Sequence, residues 1–155
     1  MNIDVWRESV NRPSGIRGRG GNKLRSYTLF KSEFLTEHYC TLILPKSHRG
    51  ALAKFRFGVA PIRLETGRYE GLPIEDRICP FCNDDVSVED EKHVLLYCPL
   101  YEDLRQVLFY KANEICDEFY TFTDEQKLIF ILNLVRTSAK TCHQILEKRS
   151  FYLYK

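Results

Sequence analysis

The stretch Arg77-Ile78-Cys79-Pro80-Phe81-Cys82-Asn83-Asp84-Asp85, continued through His93-Val94-Leu95-Leu96-Tyr97-Cys98-Pro99, decides how the rest of the chain reads. Four metal-ligand side chains, Cys79, Cys82, His93 and Cys98, follow the spacing C-x2-C-x10-H-x4-C. Two cysteines two residues apart hold one metal from a tight turn, and a later His and Cys close a tetrahedral shell. A filled shell leaves no position for a reacting water. The spacing therefore points to structural Zn2+, not catalytic Zn2+.

The residues around each ligand suit that geometry. Pro80 and Phe81 keep the first turn from continuing as a helix, and Asn83, Asp84, Asp85 and Ser87 turn the loop back towards the metal. Five residues along a helix is about 140° of rotation, so His93 and Cys98 cannot share a face of one long helix. Pro99 resolves this: it disfavours helical geometry at Cys98 and suits the first position of the next helix. Three other readings compete with zinc. Cys79-Pro80-Phe81-Cys82 has the form of the glutaredoxin tetrad, which would make the chain a thiol-disulfide oxidoreductase, but no strand precedes it and an acidic turn follows. A disulfide framework suits secreted chains, and the start Met1-Asn2-Ile3-Asp4 has no signal pattern. The third is a coincidence of free thiols and a surface histidine.

Composition bounds the rest. With 155 residues, 44% hydrophobic and 13% aromatic, the chain can bury a core. No apolar run approaches the ~18 residues of a membrane span, so an intracellular chain, nuclear or cytoplasmic, is expected. The net charge of +2 hides a segregation: residues 1–68 hold 13 Lys and Arg against 5 Asp and Glu, and residues 69–155 hold 10 against 16. A half at +8 beside a half at −6 places any polyanion on the N-terminal side, or lets the halves attract within one fold.

Four segments follow. Residues 1–22 carry Trp6 and an Arg/Gly-rich run, and read as a flexible basic linker. Residues 23–69 read as a basic helical segment. Leu24, Tyr27, Phe30, Phe34, His38 and Leu42 recur at spacings of three and four, giving a helix over 23–43 with Ser32 or Thr36 as a break. A second helix, capped by Ser47, turns Ala51, Leu52 and Phe55 inward and Lys46, His48, Arg49, Lys54 and Arg56 outward. Gly58 ends it, and residues 59–69 read as an extended stretch closed at Gly67. Residues 70–105 are the zinc-binding segment. Residues 106–155 are helices packing on the same core. One helix from about Pro99 to Cys116 carries Leu100, Leu104, Val107, Leu108, Ala112 and Ile115, and Thr123-Asp124-Glu125-Gln126 has the form of a capping box. A last helix over 138–153 turns Ala139, Cys142, Ile145 and Leu146 inward. Cys40, Cys116 and Cys142 then read as small hydrophobes, not ligands.

The residues Asn22-Lys23-Leu24-Arg25-Ser26-Tyr27, Phe55-Arg56, Gly58-Val59-Ala60-Pro61-Ile62 and Glu65-Thr66-Gly67-Arg68-Tyr69, with the metal box from Arg77 to Arg105, carry a resemblance. Over about residues 22–105 the chain resembles the segment downstream of the polymerase domain in non-LTR retrotransposon reverse transcriptases of invertebrate type. That resemblance implies a Cys/Cys/His/Cys zinc segment that assists nucleic-acid handling by a polymerase on the same chain. The paired aspartates of a polymerase hairpin are not in this sequence, and Asp84-Asp85 lies inside the zinc loop.

The expectation is a mainly α fold, helical, with a small irregular Cys/Cys/His/Cys zinc-stapled segment. The expected function is a zinc-binding, non-catalytic module associated with nucleic acid, RNA or DNA, without sequence preference. The alternative is a zinc-stapled module docking on a protein partner such as a polymerase domain encoded elsewhere. Three thiolates around Zn2+ leave a net −1, to which Asp84, Asp85, Glu89, Asp90 and Glu91 add, so the zinc loop should repel phosphate. Contact is expected instead through Lys23, Arg25, Lys31, Lys46, Arg49, Lys54, Arg56, Arg63 and Arg68.

Overall fold

The computed structural model describes residues 3–11, 26–31 and 33–155, with only the backbone of residues 9–11. Among these the regular elements are helices: α1 Ile3–Asn11, α2 His38–Thr41, α3 Lys46–Phe57, α4 Arg63–Tyr69, α5 Glu91–Leu96, α6 Glu102–Ile115, α7 Asp124–Asn133 and α8 Val135–Leu153. Single 3-10 turns lie at residues 27–29, 74–76, 99–101 and 119–121. The described residues contain no strand, and one antiparallel bridge joins Ile78 to Val88. The fold is mainly α with an irregular Cys/Cys/His/Cys segment, and among the described residues no helix is long and apolar enough to cross a membrane.

The centre of the fold is α3 against α8. The two run antiparallel, since Arg56 near the end of α3 reaches the Leu132 carbonyl just before α8, while His48 near its start meets the His143 ring at 4.9 Å. Ala51, Leu52 and Phe55 bury one face of α3, and Ala139, Cys142 and Ile145 bury the facing stripe of α8. Each fully buried Leu, Ile or Phe contributes roughly 1.5–3 kcal/mol. α5, α6 and α7 close the core with Val94, Leu95, Leu108, Ile131 and Leu132. The helix ends follow local chemistry. Gly58 takes the left-handed conformation (φ 70°) and its N–H closes α3 onto Lys54 and Phe55. Thr123 and Gln126 form the expected capping box. Ser47 does not cap α3; Pro45 stands at that position and fixes the entry angle.

Other expectations fail for identifiable reasons. Residues 3–11 are not linker but helix, with Trp6 buried against the Phe34 ring at 5.5 Å; the Arg/Gly run at 12–22 lies outside the described residues. The expected helix over 23–43 is broken into a 3-10 turn and the four-residue α2, with the backbone extended at Glu37 and Leu42; Leu24 and Ser32 lie outside the described residues. Tyr39, not His38, is buried there. Thr28 and Thr36 lose rotamer freedom in a helix, and the segment is held instead by Arg56, whose guanidinium lies 4.4 Å from the Phe30 ring centroid and 5.4 Å from that of Tyr39. Residues 63–69 are helical, not extended, and Gly67 sits inside α4 where the Arg77 side chain passes over it. On α6, Leu108 and Ala112 point inward, but Val107 and Ile115 are exposed.

Candidate metal centre

The turn from Cys79 to Ser87 is closed at its base by backbone hydrogen bonds. The Cys79 N–H donates to the Ser87 carbonyl at 2.8 Å, and the Glu89 N–H donates to that of Arg77 at 3.0 Å. Between them the Asp84 carboxylate accepts from the Ser87 N–H (2.8 Å), the Ser87 hydroxyl (2.9 Å) and the Val86 N–H (3.3 Å). These bonds, from Ser87 first, hold the Asp84 carboxyl below its usual range. The Asp90 carboxylate then caps α5 by accepting from the His93 N–H at 2.6 Å, which sets the imidazole in the first turn of that helix. Past α5 the chain leaves helical geometry at Cys98 (φ −56°, ψ 125°), and Pro99 opens the next turn as its spacing predicts. The Cys98 carbonyl accepts from Arg105 at 3.0 Å.

The four ligand atoms converge within 4.8 Å of one another, forming a group that can hold one metal ion. Cys79 Sγ lies 3.8 Å from Cys98 Sγ, and Cys82 Sγ lies 3.3 Å from His93 Nε2. A tetrahedral shell with metal–sulfur bonds of roughly 2.3 Å and metal–nitrogen bonds of roughly 2.0 Å requires ligand separations of about 3.5–3.8 Å. The donor set and its convergence are compatible with a single ion, the Cys79–Cys98 separation matching the shell and the Cys82–His93 separation lying slightly inside it. A disulfide does not fit, since its sulfurs must approach to about 2.05 Å, and all six cysteines are free. Downstream of Cys82 no helix begins until Glu91.

The four groups share their protons unequally. The hydrogen bond with the Cys98 thiol lowers Cys79 to about 4 and raises Cys98, so the pair favours a thiolate accepting from a neighbouring thiol. Burial, then the hydrogen bond with Cys79, pushes Cys82 up to about 11, and the hydrogen bond with Cys79 raises His93. Cys40 is exposed, Cys116 half-buried at the end of α6, and Cys142 buried, where desolvation pushes its thiol up; none of the three joins the ligand group.

The nine expected phosphate contacts divide sharply. Lys23 and Arg25 lie outside the described residues. Arg56, expected on an exposed face, is 5% exposed and bonds the Leu132 carbonyl, Asn133 and Glu37, because its helix turns that side towards α7. The Lys31 side chain is 9% exposed, pairs with Glu37 at 3.3 Å and donates to the Leu35 carbonyl. Arg63 pairs with Glu70 and Arg68 with Glu65. Lys46, Arg49 and Lys54 on α3 make no ion pair among the described residues. Arg136 and Lys140 on α8 share that property and were missed. Their i, i+4 spacing, on the side of α8 away from Cys142 and Ile145, carried the signal.

The acidic loop also needs correction. Glu89 is fully buried, with both carboxylate oxygens on Arg149, and Glu91 is buried, so neither presents its charge to solvent as expected. The Glu89–Arg149 pair spans 60 residues, a separation no local pattern reveals. Neither the family models nor the curated proteins nor the solved structures with which the chain was compared contain a match to it.

Proposed function

We propose that this chain is a zinc-binding, non-catalytic module that associates with nucleic acid through phosphate contacts, the ion fixing how a basic helix pair is presented. The convergence of three thiols and one imidazole within 4.8 Å carries the reading. Soft, sulfur-rich tetrahedral sets select zinc among common intracellular ions, and four protein ligands leave no coordination position for a substrate. The polyanion half of the reading is supported by Lys46, Arg49, Lys54, Arg136 and Lys140, cations on two adjacent helices with no acidic partner among the described residues. The resemblance to the segment downstream of a retrotransposon polymerase domain points the same way and rests on the residues quoted for it.

A salt titration of binding to duplex and single-stranded nucleic acid tests this. The logarithmic slope is expected at roughly −0.9 per phosphate contact on duplex and roughly −0.7 on single strands. Reversing Lys46, Arg49 and Lys54 together flattens it and weakens all sequences alike. Asp85→Asn leaves affinity equal or slightly raised. Negligible binding at physiological salt defeats the nucleic-acid reading and favours docking on a protein partner. That second reading has its own observation: Val107, Tyr110 and Tyr120 are exposed around an open groove on α6.

A further inference from the structure

Glu89 stands in the loop between the two ligand pairs and is fully buried. Its Oε1 accepts from Arg149 Nε at 3.0 Å; its Oε2 accepts from the second Arg149 nitrogen at 2.8 Å and from the Arg63 N–H at 2.5 Å. Its backbone is equally committed, donating to the Arg77 carbonyl and accepting from the Leu64 N–H, both at 3.0 Å. One loop residue thus ties the metal segment to α4, to the residues before Cys79 and to the far end of α8. Arg149 reaches the other side of the loop as well. Its guanidinium lies 5.8 Å from the Phe81 ring, between the first two ligands.

A buried carboxylate is tolerable only while paired. If α8 leaves, Glu89 must either remain as a buried lone charge or open the loop to water. If the loop opens, Arg149 loses its partner in turn. We infer that Glu89 and Arg149 are positioning residues of the metal centre and that they couple it to the C-terminal helix: loading the ion docks the end of α8, and undocking α8 loosens the ion. The inference rests on the metal-binding half of the function proposed above. Coupling of this kind is reciprocal, so the factor by which the ion favours docking equals the factor by which docking favours the ion, commonly about 5- to 150-fold.

The test is hydrogen exchange of the full chain with one zinc and after chelation, alongside zinc affinities by competitor titration. Chelation should lower protection of the amides of residues 145–153 by a factor in that range, with a smaller change in α7. Arg149→Met should weaken zinc by a similar factor. Arg149→Lys, which keeps the charge but not the two-point pairing, should fall between. Glu89→Gln with Arg149→Met should regain most of the affinity, because no lone buried charge remains; a purely structural loss would not be rescued this way. Protection of α8 that ignores chelation in a protein holding one zinc overturns the inference while leaving zinc binding standing. Equal loss across α3, α7 and α8 marks general unfolding and overturns it too. A wild-type chain that binds no zinc defeats both. Should Arg149→Met not fold, the wild-type exchange comparison decides alone.

Discussion

The side chain of Arg77 crosses Gly67 so closely that a β-carbon at Gly67 would stand 2.8 Å from the Arg77 Cγ and 3.2 Å from its Cδ. Arg77 cannot step aside freely, because its guanidinium donates to the carbonyls of Leu72 (3.0 and 2.7 Å) and Leu64 (2.8 Å). Alanine would raise helix propensity in α4 by about 1 kcal/mol, but overpacking against a fixed neighbour costs about 1–3 kcal/mol. Gly67→Ala is therefore expected to destabilise the chain in chemical denaturation. An increase in the midpoint would show that Arg77 moves without loss.

Cys82→Ser is expected to abolish stoichiometric zinc and to open the chain between Glu75 and Tyr101 to protease. Ligation is expected to order the loop between Glu75 and Asp90, where Cys79 is the one buried apolar side chain. Retained zinc with unchanged proteolytic resistance would contradict this.

Replacing Cys40, Cys116 and Cys142 together by alanine should leave one zinc per chain, since none of them joins the ligand group. Metal analysis of the purified triple variant is sufficient. A fall in stoichiometry would mean that one of the three is a ligand.

Acid should strip the ion steeply. Cys82, at about 11, and Cys98 and His93, both raised, hold protons at pH values where Cys79, at about 4, holds none. Zinc binding favours the deprotonated forms, so it is strengthened as pH rises and lost as pH falls. Between about pH 5 and 6 three protons must leave, which corresponds to about a thousandfold change in affinity per pH unit. Competitor titrations at three pH values measure it, and a flat profile would refute the shared-proton arrangement.

Arg56→Ala is expected to cost about 3–5 kcal/mol, because it strands the Glu37 carboxylate and the Leu132 carbonyl that the guanidinium serves. Lys54→Ala, two residues earlier on an exposed position, should stay within about 0.5 kcal/mol. Equal effects of the two in urea denaturation would argue against the buried assignment.

Features governed by neighbours within a few residues were legible in the sequence. The ligand quartet, the Pro99 break, the Gly58 stop and the Thr123–Gln126 capping box all depend on spacings the chain displays directly. Features governed by distant partners were not. Residues 27–41 carry a helical apolar rhythm, yet their path is set by Phe30 and Tyr39 packing on the Arg56 cation. Gly67 reads as a turn signal until Arg77 is seen lying against it. Glu89 and Arg56 both looked like surface charges, because nothing local identifies the partner that permits their burial.

The pairing of α3 with α8 also sets an order of events during synthesis. Arg56 finds its carbonyl partner 76 residues later in the chain, and α8 follows that partner. At about 5–20 residues per second, the apolar face of α3 leaves the ribosome roughly 4 to 18 s before the α8 residues that cover it. The four metal ligands, spread over residues 79–98, emerge within that interval. The segment carrying Cys79, Cys82, His93 and Cys98 is thus complete while Leu52 and Phe55 are still bare, which makes α3 a segment for chaperones to shield.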